Sequence, residues 1–144
     1  MERILALDVG TKRTGAAISD ESHTFSFPLL QFEATDPRRW VENVVELIDE
    51  NDVGTLVVGM PLDSSGEPSE MGLEIRKRVA LLQKRKSLPI IEWDERLTSA
   101  QAERYLIEGE VSRKKRKQVV DKVAATILLQ SYLDSLQFDH APWN

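Results

Sequence analysis

Residues 5–20 read LALDVGTKRTGAAISD, and this stretch decides the fold because it joins two short apolar runs through a tight turn. The first run, ILALDVG (4–10), ends in glycine and predicts a buried strand. The second run, TGAAISD (14–20), predicts its antiparallel hairpin partner. Asp8 lies inside the first run, although burying a carboxylate without compensation costs several kcal/mol. We therefore expect a compensating group near Asp8, and a metal ion is the candidate.

The composition limits the class of protein. The 144 residues suffice for one domain with a core, and 41% hydrophobic with 30% charged residues is typical of a soluble globular chain. No apolar run reaches the roughly 20 residues of a membrane span, and the start MERILALD lacks the layout of a signal peptide. The absence of cysteine excludes disulfides, thiolate zinc sites and cysteine nucleophiles. These features predict a cytoplasmic protein with no membrane partner.

Three further apolar runs have the length of strands. TFSFPLLQFEA (24–34) contains a proline, which favours an edge strand. TLVVGM (55–60) is apolar throughout, as is typical of a strand covered on both faces. LPIIEW (88–93) predicts the last strand. The first strand should be central, because it is the most uniformly apolar of the first three.

Helical patterns separate and follow the later strands. Asp36 and Pro37 predict the N-cap and first residue of an amphipathic helix. Its expected buried stripe is Trp40, Val44, Leu47 and Ile48. Further helices are predicted over about 69–86, from the capping box Thr98/Gln101 to Gly109, and over about 118–136.

The element order is therefore β-β-β-α-β-α-β-α-α, which predicts an α/β fold with a mixed sheet flanked by helices. Asp8 would then lie near the carboxyl end of a central strand. Ligands of open α/β sheets bind at this edge.

Two further carboxylates are expected to approach Asp8. Glu95 follows the last predicted strand, and Asp121 lies in the first turn of the last predicted helix. If the first and last strands are parallel, their ends share one edge, and a helix that packs Ala124 and Leu128 on the sheet brings Asp121 there. Oxygen ligands without histidine or thiolate favour Mg²⁺ or Mn²⁺ over zinc. Two such ions about 3.5–4 Å apart can hold the attacking water and the leaving oxygen of a phosphodiester.

Each of these three carboxylates also has a structural interpretation. Asp8 could accept hydrogen bonds from the amides of Gly10 and Thr11, and Glu95 could form an ion pair with Arg96. Asp121 could instead stabilise the N-terminus of its helix, where a negative charge contributes about 0.3–1 kcal/mol. His23 and His140 have no partner pattern, and we assign them no role.

The basic residues are concentrated, although the net charge of −5 does not by itself indicate a nucleic-acid-binding protein. A predicted loop holds five in a row: Arg113, Lys114, Lys115, Arg116 and Lys117. Lys12 and Arg13 follow Asp8, and Arg96 follows Glu95. All eight are candidates for binding backbone phosphates of a nucleic acid. A charged run of this kind can equally be a solvated surface.

Four segments carry a family resemblance: LALDVGTKRTGAAISD, LVVGMPLDSSG, DERLTSAQAE and VDKVAATILLQSYLD. In their order and spacing the chain resembles the YqgF/RuvX family over nearly its whole length. The resemblance implies an RNase H-like fold with a five-stranded mixed sheet, a nuclease domain over 1–138 and a C-terminal tail over 139–144. It also implies a metal-dependent nuclease site in which Asp8, Glu95 and Asp121 match the family's acidic positions.

The family resemblance implies a role in trimming the 5′ end of precursor 16S rRNA during ribosome biogenesis. An older family label is resolution of Holliday junctions, which are four-way DNA. The sequence does not choose between pre-rRNA and branched DNA, and a ribosomal precursor is a further candidate partner. A junction resolvase needs two active sites and hence a dimer. We otherwise favour a monomer, because no exposed apolar stripe identifies an interface.

Two other classes of function compete with a nuclease. Kinases of the actin and sugar-kinase type also open with D-x-G-T, and this chain repeats DVGT at 52–55. That copy precedes a strand, so it cannot form a loop at the carboxyl edge, and the chain is too short for a second lobe. A binding protein with this fold and little catalytic activity would need the basic residues but not the carboxylates.

Overall fold

The structure, a computed structural model, describes residues 2–33, 35–95 and 113–139, and within the last range the side chains of 123–137. These residues form a five-stranded sheet and three helices. The strands are β1 (Arg3–Val9), β2 (Arg13–Ser19), β3 (Ser26–Glu33), β4 (Val53–Met60) and β5 (Ile90–Asp94). The helices are α1 (Pro37–Glu50), α2 (Glu70–Gln83) and α3 (Arg113–Asp139).

The sheet is mixed, and its strand order is β3-β2-β1-β4-β5. β1 pairs antiparallel with β2, which pairs antiparallel with β3. β4 is parallel to β1, and β5 is parallel to β4. The prediction of a mixed α/β sheet is confirmed, with β1 in the middle and β3, which contains Pro28, at an edge. The carboxyl ends of β1, β4 and β5 therefore meet at one edge of the sheet.

Helices α1 and α2 cover one face of this sheet. Leu5, Leu7 and Val9 of β1 point into the core that these helices complete. α1 begins as predicted, with the Asp36 side chain accepting a hydrogen bond from the Arg38 amide at 3.1 Å. Its predicted stripe is buried: Trp40, Val44, Leu47 and Ile48. The alternation along β1 assigns its odd-numbered residues to this face.

Helix α3 covers the opposite face. Ile4 and Ala6 of β1 pack in a second cluster, as do Ala17 of β2 and Val57 of β4. α3 contributes four buried residues to it: Ala125, Leu128, Leu129 and Leu133. Alanines on the sheet leave room for the helix to lie close to the strands. The predicted burial of Ala124 and Leu128 is confirmed.

Helix α3 corrects one prediction. The basic segment 113–117 was expected to be a loop that precedes a helix over 118–136, but the helix already includes Arg113 and continues to Asp139. The segment contains no glycine or proline, and lysine and arginine are good helix formers. A charged run therefore does not end a helix by itself. The predicted helix from Thr98 to Gly109 lies outside the described residues.

The second DVGT lies where the sequence predicted: Asp52 is between α1 and β4, and the next three residues begin β4. The Asp52 carbonyl accepts a hydrogen bond from the Arg3 amide at 2.8 Å, at the start of β1. This copy is therefore at the amino edge of the parallel strands, opposite the edge where Asp8 lies. No helix in the described part of the chain is long and apolar enough to cross a membrane.

Candidate active site

The turn between β1 and β2 sets the position of Asp8. The Gly10 amide donates to the Arg13 carbonyl at 2.8 Å and closes the turn. A Cβ atom at Gly10 would lie 2.8 Å from the same carbonyl oxygen, so the turn requires glycine. Because the Gly10 amide is used in this way, it does not support the interpretation of Asp8 as a cap for that amide. Asp8 is half-buried and, two residues after Ala6, points to the α3 face of the sheet.

Glu95 reaches the same face from the edge strand β5. Its amide donates to the Met60 carbonyl at 3.2 Å, which continues the pairing of β4 and β5 by one residue. Trp93, two residues earlier, packs in the α3-side cluster. The Glu95 Oε2 atom is buried. This backbone hydrogen bond extends the pairing of β4 and β5 to Glu95. The Glu95 carboxylate therefore lies over the sheet and not in solvent.

Gly59 lies on β4, between the strands that supply the two carboxylates. A Cβ atom at this position would lie 3.4 Å from Glu95 Oε2 and 2.6 Å from Leu128 Cδ1 of α3. Adjacent strands are about 4.8 Å apart, so Asp8 and Glu95 approach Gly59 from its two sides. The missing side chain leaves a space between two carboxylates, with Leu128 above it.

Burial governs the electrostatics of this space. The pKa of Glu95 is raised, first because burial disfavours the charged form and second because the Asp94 carboxylate is close. A divalent cation between Asp8 and Glu95 would offset both effects, since an opposite charge favours the ionised form. The residues present therefore fit an ion that prefers oxygen ligands, such as Mg²⁺ or Mn²⁺.

The third predicted carboxylate is placed only by its backbone. Asp121 lies in α3, four residues before Ala125 and seven before Leu128, which is the spacing of one helix stripe. Its side chain is outside the described part. Among the side chains that are described, no group of three or more histidine, aspartate or glutamate residues forms a metal site. What the described residues bring together is the pair Asp8 and Glu95.

The predicted phosphate-binding residues fall into three groups. Lys12 is exposed in the β1–β2 turn and Arg13 is half-buried at the start of β2, so both lie at the edge where Asp8 lies. The basic segment 113–117 forms the described beginning of α3. Arg96 is outside the described residues.

Gly59 belongs to the candidate site, although none of the predictions above includes it. In the sequence it is one residue of the apolar run TLVVGM. A glycine inside a strand pattern often marks a place where a ligand or another backbone approaches closely, and this signal was available.

Asp20 has a structural role in the turn after β2. Its carboxylate accepts hydrogen bonds from the Thr24 and Phe25 amides at 2.8 and 3.0 Å and from the Ser22 hydroxyl at 2.5 Å. The Ser22 hydroxyl, followed by the two amides, lowers the pKa of Asp20 to about 2. His23, to which no role was assigned, adopts a positive φ of 58° in this turn. Its Nε2 atom lies 2.7 Å from the Glu2 carbonyl oxygen.

Comparison with curated proteins shows relatives along nearly the whole chain. A protein of Geobacillus sp. named "Putative pre-16S rRNA nuclease" is 44% identical over 137 residues, which cover 94% of this chain and 99% of the relative. A protein of Thermoanaerobacter pseudethanolicus with the same name is 43% identical over 134 residues, covering 92% and 96%.

Solved structures of lower sequence similarity share the fold. RuvC of T. thermophilus, solved with a Holliday junction substrate, matches with a TM-score of 0.62 at 12% identity and covers 98% of both chains. The Holliday junction resolvase of fowlpox virus matches with a TM-score of 0.57 at 15% identity, covering 93% of this chain and 99% of its own. The RNase H-like fold predicted from the family resemblance is thereby confirmed. The model of the family described as "RuvX: Holliday junction resolvase" matches residues 2–135, and the chain belongs to this family.

Proposed function

We propose that this protein is a divalent-metal-dependent nuclease that hydrolyses phosphodiester bonds and processes the 5′ end of pre-16S rRNA in the cytoplasm. One observation carries the proposal: Glu95 Oε2 lies 3.4 Å from where a Cβ of Gly59 would be, and the β1–β4 register, which pairs Leu7 with Val58, sets Asp8 beside Gly59 at the carboxyl edge of the parallel strands. Membership of the RuvX family and the names of the relatives support the reaction class and the substrate.

Asp8, Glu95 and Asp121 would hold the metal in this proposal. The first two would supply oxygen ligands from the described side chains, and Asp121 would add a third from the helix that covers them. When bound at such a site, Mg²⁺ or Mn²⁺ activates a water and stabilises the leaving oxygen of a phosphodiester. The carboxylates must be ionised to act as ligands, and the raised pKa of Glu95 makes this residue the more sensitive to acid.

The rest of the site would orient the substrate. Leu128 closes the space above Gly59 and keeps bulk water away from that side. Lys12 and Arg13, at the same edge as Asp8, would hold backbone phosphates, with Arg96 and the segment 113–117 as further contacts. Affinity for nucleic acid should then fall as salt rises, because each phosphate contact releases counterions.

Resolution of four-way DNA is the second candidate, and the description of the family favours it. A resolvase must cut two strands and therefore needs two copies of the site. We favour RNA, because the names of the relatives refer to pre-16S rRNA, and a monomer, because no exposed apolar stripe in the sequence identifies an interface. A binding protein without catalysis is the candidate of another class.

The test is cleavage of labelled single-stranded RNA and a labelled four-way DNA junction, side by side, with Mg²⁺, with Mn²⁺ and with EDTA. We expect metal-dependent cleavage of RNA by the wild type and its loss in Asp8→Asn. Glu50→Gln, which changes an exposed carboxylate at the far end of α1, is the matched control. Selective cleavage of the junction by a dimer would favour the resolvase. Binding of RNA without cleavage, equal in wild type and Asp8→Asn, would contradict the nuclease proposal.

A further inference from the structure

A second feature of the carboxyl edge is a cavity of about 500 Å³ beside the β1–β2 turn, lined by Lys12, Glu33, Thr35, Asp36 and Arg39. It lies between that turn and the start of α1. Neither Lys12 nor Arg39 takes part in an ion pair with the residues that the structure describes. Both side chains are exposed. The cavity therefore presents two cations that are available to an anion from solution.

Two acidic residues share this cavity, and they differ in availability. The Asp36 carboxylate is engaged, because it accepts the Arg38 amide as the N-cap of α1. Glu33 is exposed at the end of β3. A phosphate between Lys12 and Arg39 would thus meet two opposing charges, that of Asp36, which is held at the start of α1, and that of the exposed Glu33.

Buried polar contacts hold both walls of the cavity. Trp40, adjacent to Arg39, is fully buried, and its Nε1 donates to the Thr14 hydroxyl at 3.1 Å, two residues after Lys12. Arg78 of α2 is 5% exposed, lies 5.9 Å over the Trp40 ring and donates to the Thr35 carbonyl at 3.0 Å. The cavity is therefore part of the packed structure, with its two cations fixed at their backbone positions by α1, α2 and β2.

The strand order and register give the position of the cavity along the sheet edge that carries the carboxylates. Arg13 pairs with Glu33 in the sheet register, so the ends of β2 and β3 lie beside the end of β1 at the same edge. Strands are about 4.8 Å apart, so the backbone of Arg13 and Glu33 lies one and two strands along this edge from β1, while α1, which carries Arg39, packs on the face opposite that of Asp8. Glu95 lies on the other side of Asp8, across β4.

We propose that this cavity is a phosphate subsite for a single nucleic-acid strand, with Arg39 and Lys12 binding backbone phosphates next to the bond that is cut. The substrate strand then runs along the carboxyl edge from β5, past Asp8, over the β1–β2 turn to the start of α1. No pattern in the sequence singles out Arg39 for this binding role. This inference rests on the proposed nuclease function for its meaning, but its test does not depend on cleavage.

The test measures binding of a fluorescein-labelled single-stranded RNA by anisotropy over a salt series. All variants carry Asp8→Asn and the buffer contains EDTA, so nothing is cut. Lys12→Gln/Arg39→Gln should bind about tenfold more weakly at 0.1 M salt. The slope of log K against log salt should also fall by about 1.4, since each phosphate contact on a single strand contributes about 0.7. Arg39→Lys, which keeps the charge, should retain most of the slope.

The test also includes a matched control and a variant that should strengthen RNA binding instead of weakening it. Lys77→Gln/Lys84→Gln removes the same charge from exposed positions on and just after α2 and should leave the slope unchanged. Glu33→Gln removes the opposing carboxylate and should tighten binding. If the double variant binds like its control, or if Glu33→Gln has no effect, the subsite is refuted. A wild type that cuts neither RNA nor DNA would refute the nuclease function while these binding results still decide the subsite.

Discussion

The carboxylate of Glu95 and the missing side chain of Gly59 occupy adjoining space: Glu95 Oε2 lies 3.4 Å from where a Cβ of Gly59 would be. Leu128 of α3 fills the other side of that position. The glycine thus determines how closely both the helix and the carboxylate approach β4. The proposed cation site and the tightly packed helix depend on the same absent methyl group.

Gly59→Ala should therefore lower both stability and activity. The added Cβ would lie 2.6 Å from Leu128 Cδ1, a contact that forces the helix or the side chain to shift. Overpacking of this kind costs about 1–3 kcal/mol. Urea unfolding measures the loss, and metal-dependent cleavage measures the displacement of Glu95.

A double-mutant cycle with Leu128→Ala isolates the cause. Removing the Leu128 side chain makes room for the new methyl, so the free energy of unfolding lost in the double variant should be smaller than the sum of the two single losses. Additive losses would mean that Gly59 is needed for another reason.

Metal binding should be visible without any substrate. Millimolar Mg²⁺ or Mn²⁺ should raise the Tm of the wild type, because a ligand of the folded state stabilises it by about 2.7 kcal/mol at a concentration 100 times its Kd. Asp8→Asn and Glu95→Gln should abolish the rise, whereas Glu50→Gln should keep it. Thermal unfolding of the four proteins, with metal and with EDTA, measures this change in Tm. An equal rise in Tm in all four proteins would mean that the ion binds elsewhere.

The hydrogen bond between Trp40 and Thr14 should contribute to stability. Thr14 is 1% exposed, so Thr14→Val leaves the Trp40 indole N–H buried without its acceptor. Leaving a buried donor unsatisfied costs about 1–3 kcal/mol. Chemical denaturation should show this loss, and Thr14→Ser, which keeps the hydroxyl, should lose less. Equal losses in the two variants would attribute the effect to packing alone.

Asp20 should give stability that depends on pH. Its pKa is about 2 in the folded protein against an ordinary 3.8, so its contribution is present above pH 3.8 and is lost as pH falls towards 2. Asp20→Asn should have a lower Tm than the wild type at pH 7, and the difference should narrow below pH 3.8. Glu21→Gln, at the neighbouring exposed position, controls for the removal of a surface charge. A difference that stays constant down to pH 3 would contradict the assignment.

The sheet and most helix starts were predictable from local features. Continuous or alternating apolar residues mark β1 and β4, and Asp36 with Pro37 marks the start of α1. The start of α3 was not predictable in the same way, since a run of charged residues is compatible with both loop and helix. The first residue of α3 could be assigned only from the backbone conformation in the structure.

The acidic residues of the candidate site could be predicted from the sequence, but the shape of the site could not. Strand order and parallel direction suffice to bring the ends of β1 and β5 to one edge, so Asp8 and Glu95 could be paired from the sequence. Gly59 acquires its role only from the register that sets it between them. The cavity of Lys12 and Arg39 depends on where α1 starts relative to a turn more than 20 residues earlier, which no local pattern reports.

The packing of α3 over the first three strands has a consequence for biosynthesis. Gln130 accepts the Ser26 amide at 3.0 Å and donates to the Thr24 carbonyl at 3.0 Å, which joins residues more than 100 positions apart. During translation, Ile4, Ala6 and Ala17 emerge early, whereas the helix that covers them is made last. The sheet face that carries Asp8 therefore stays bare in the nascent chain. If Asp121 of α3 is the third ligand, as we propose, the site is complete only after this helix has docked, and cleavage of RNA begins only then.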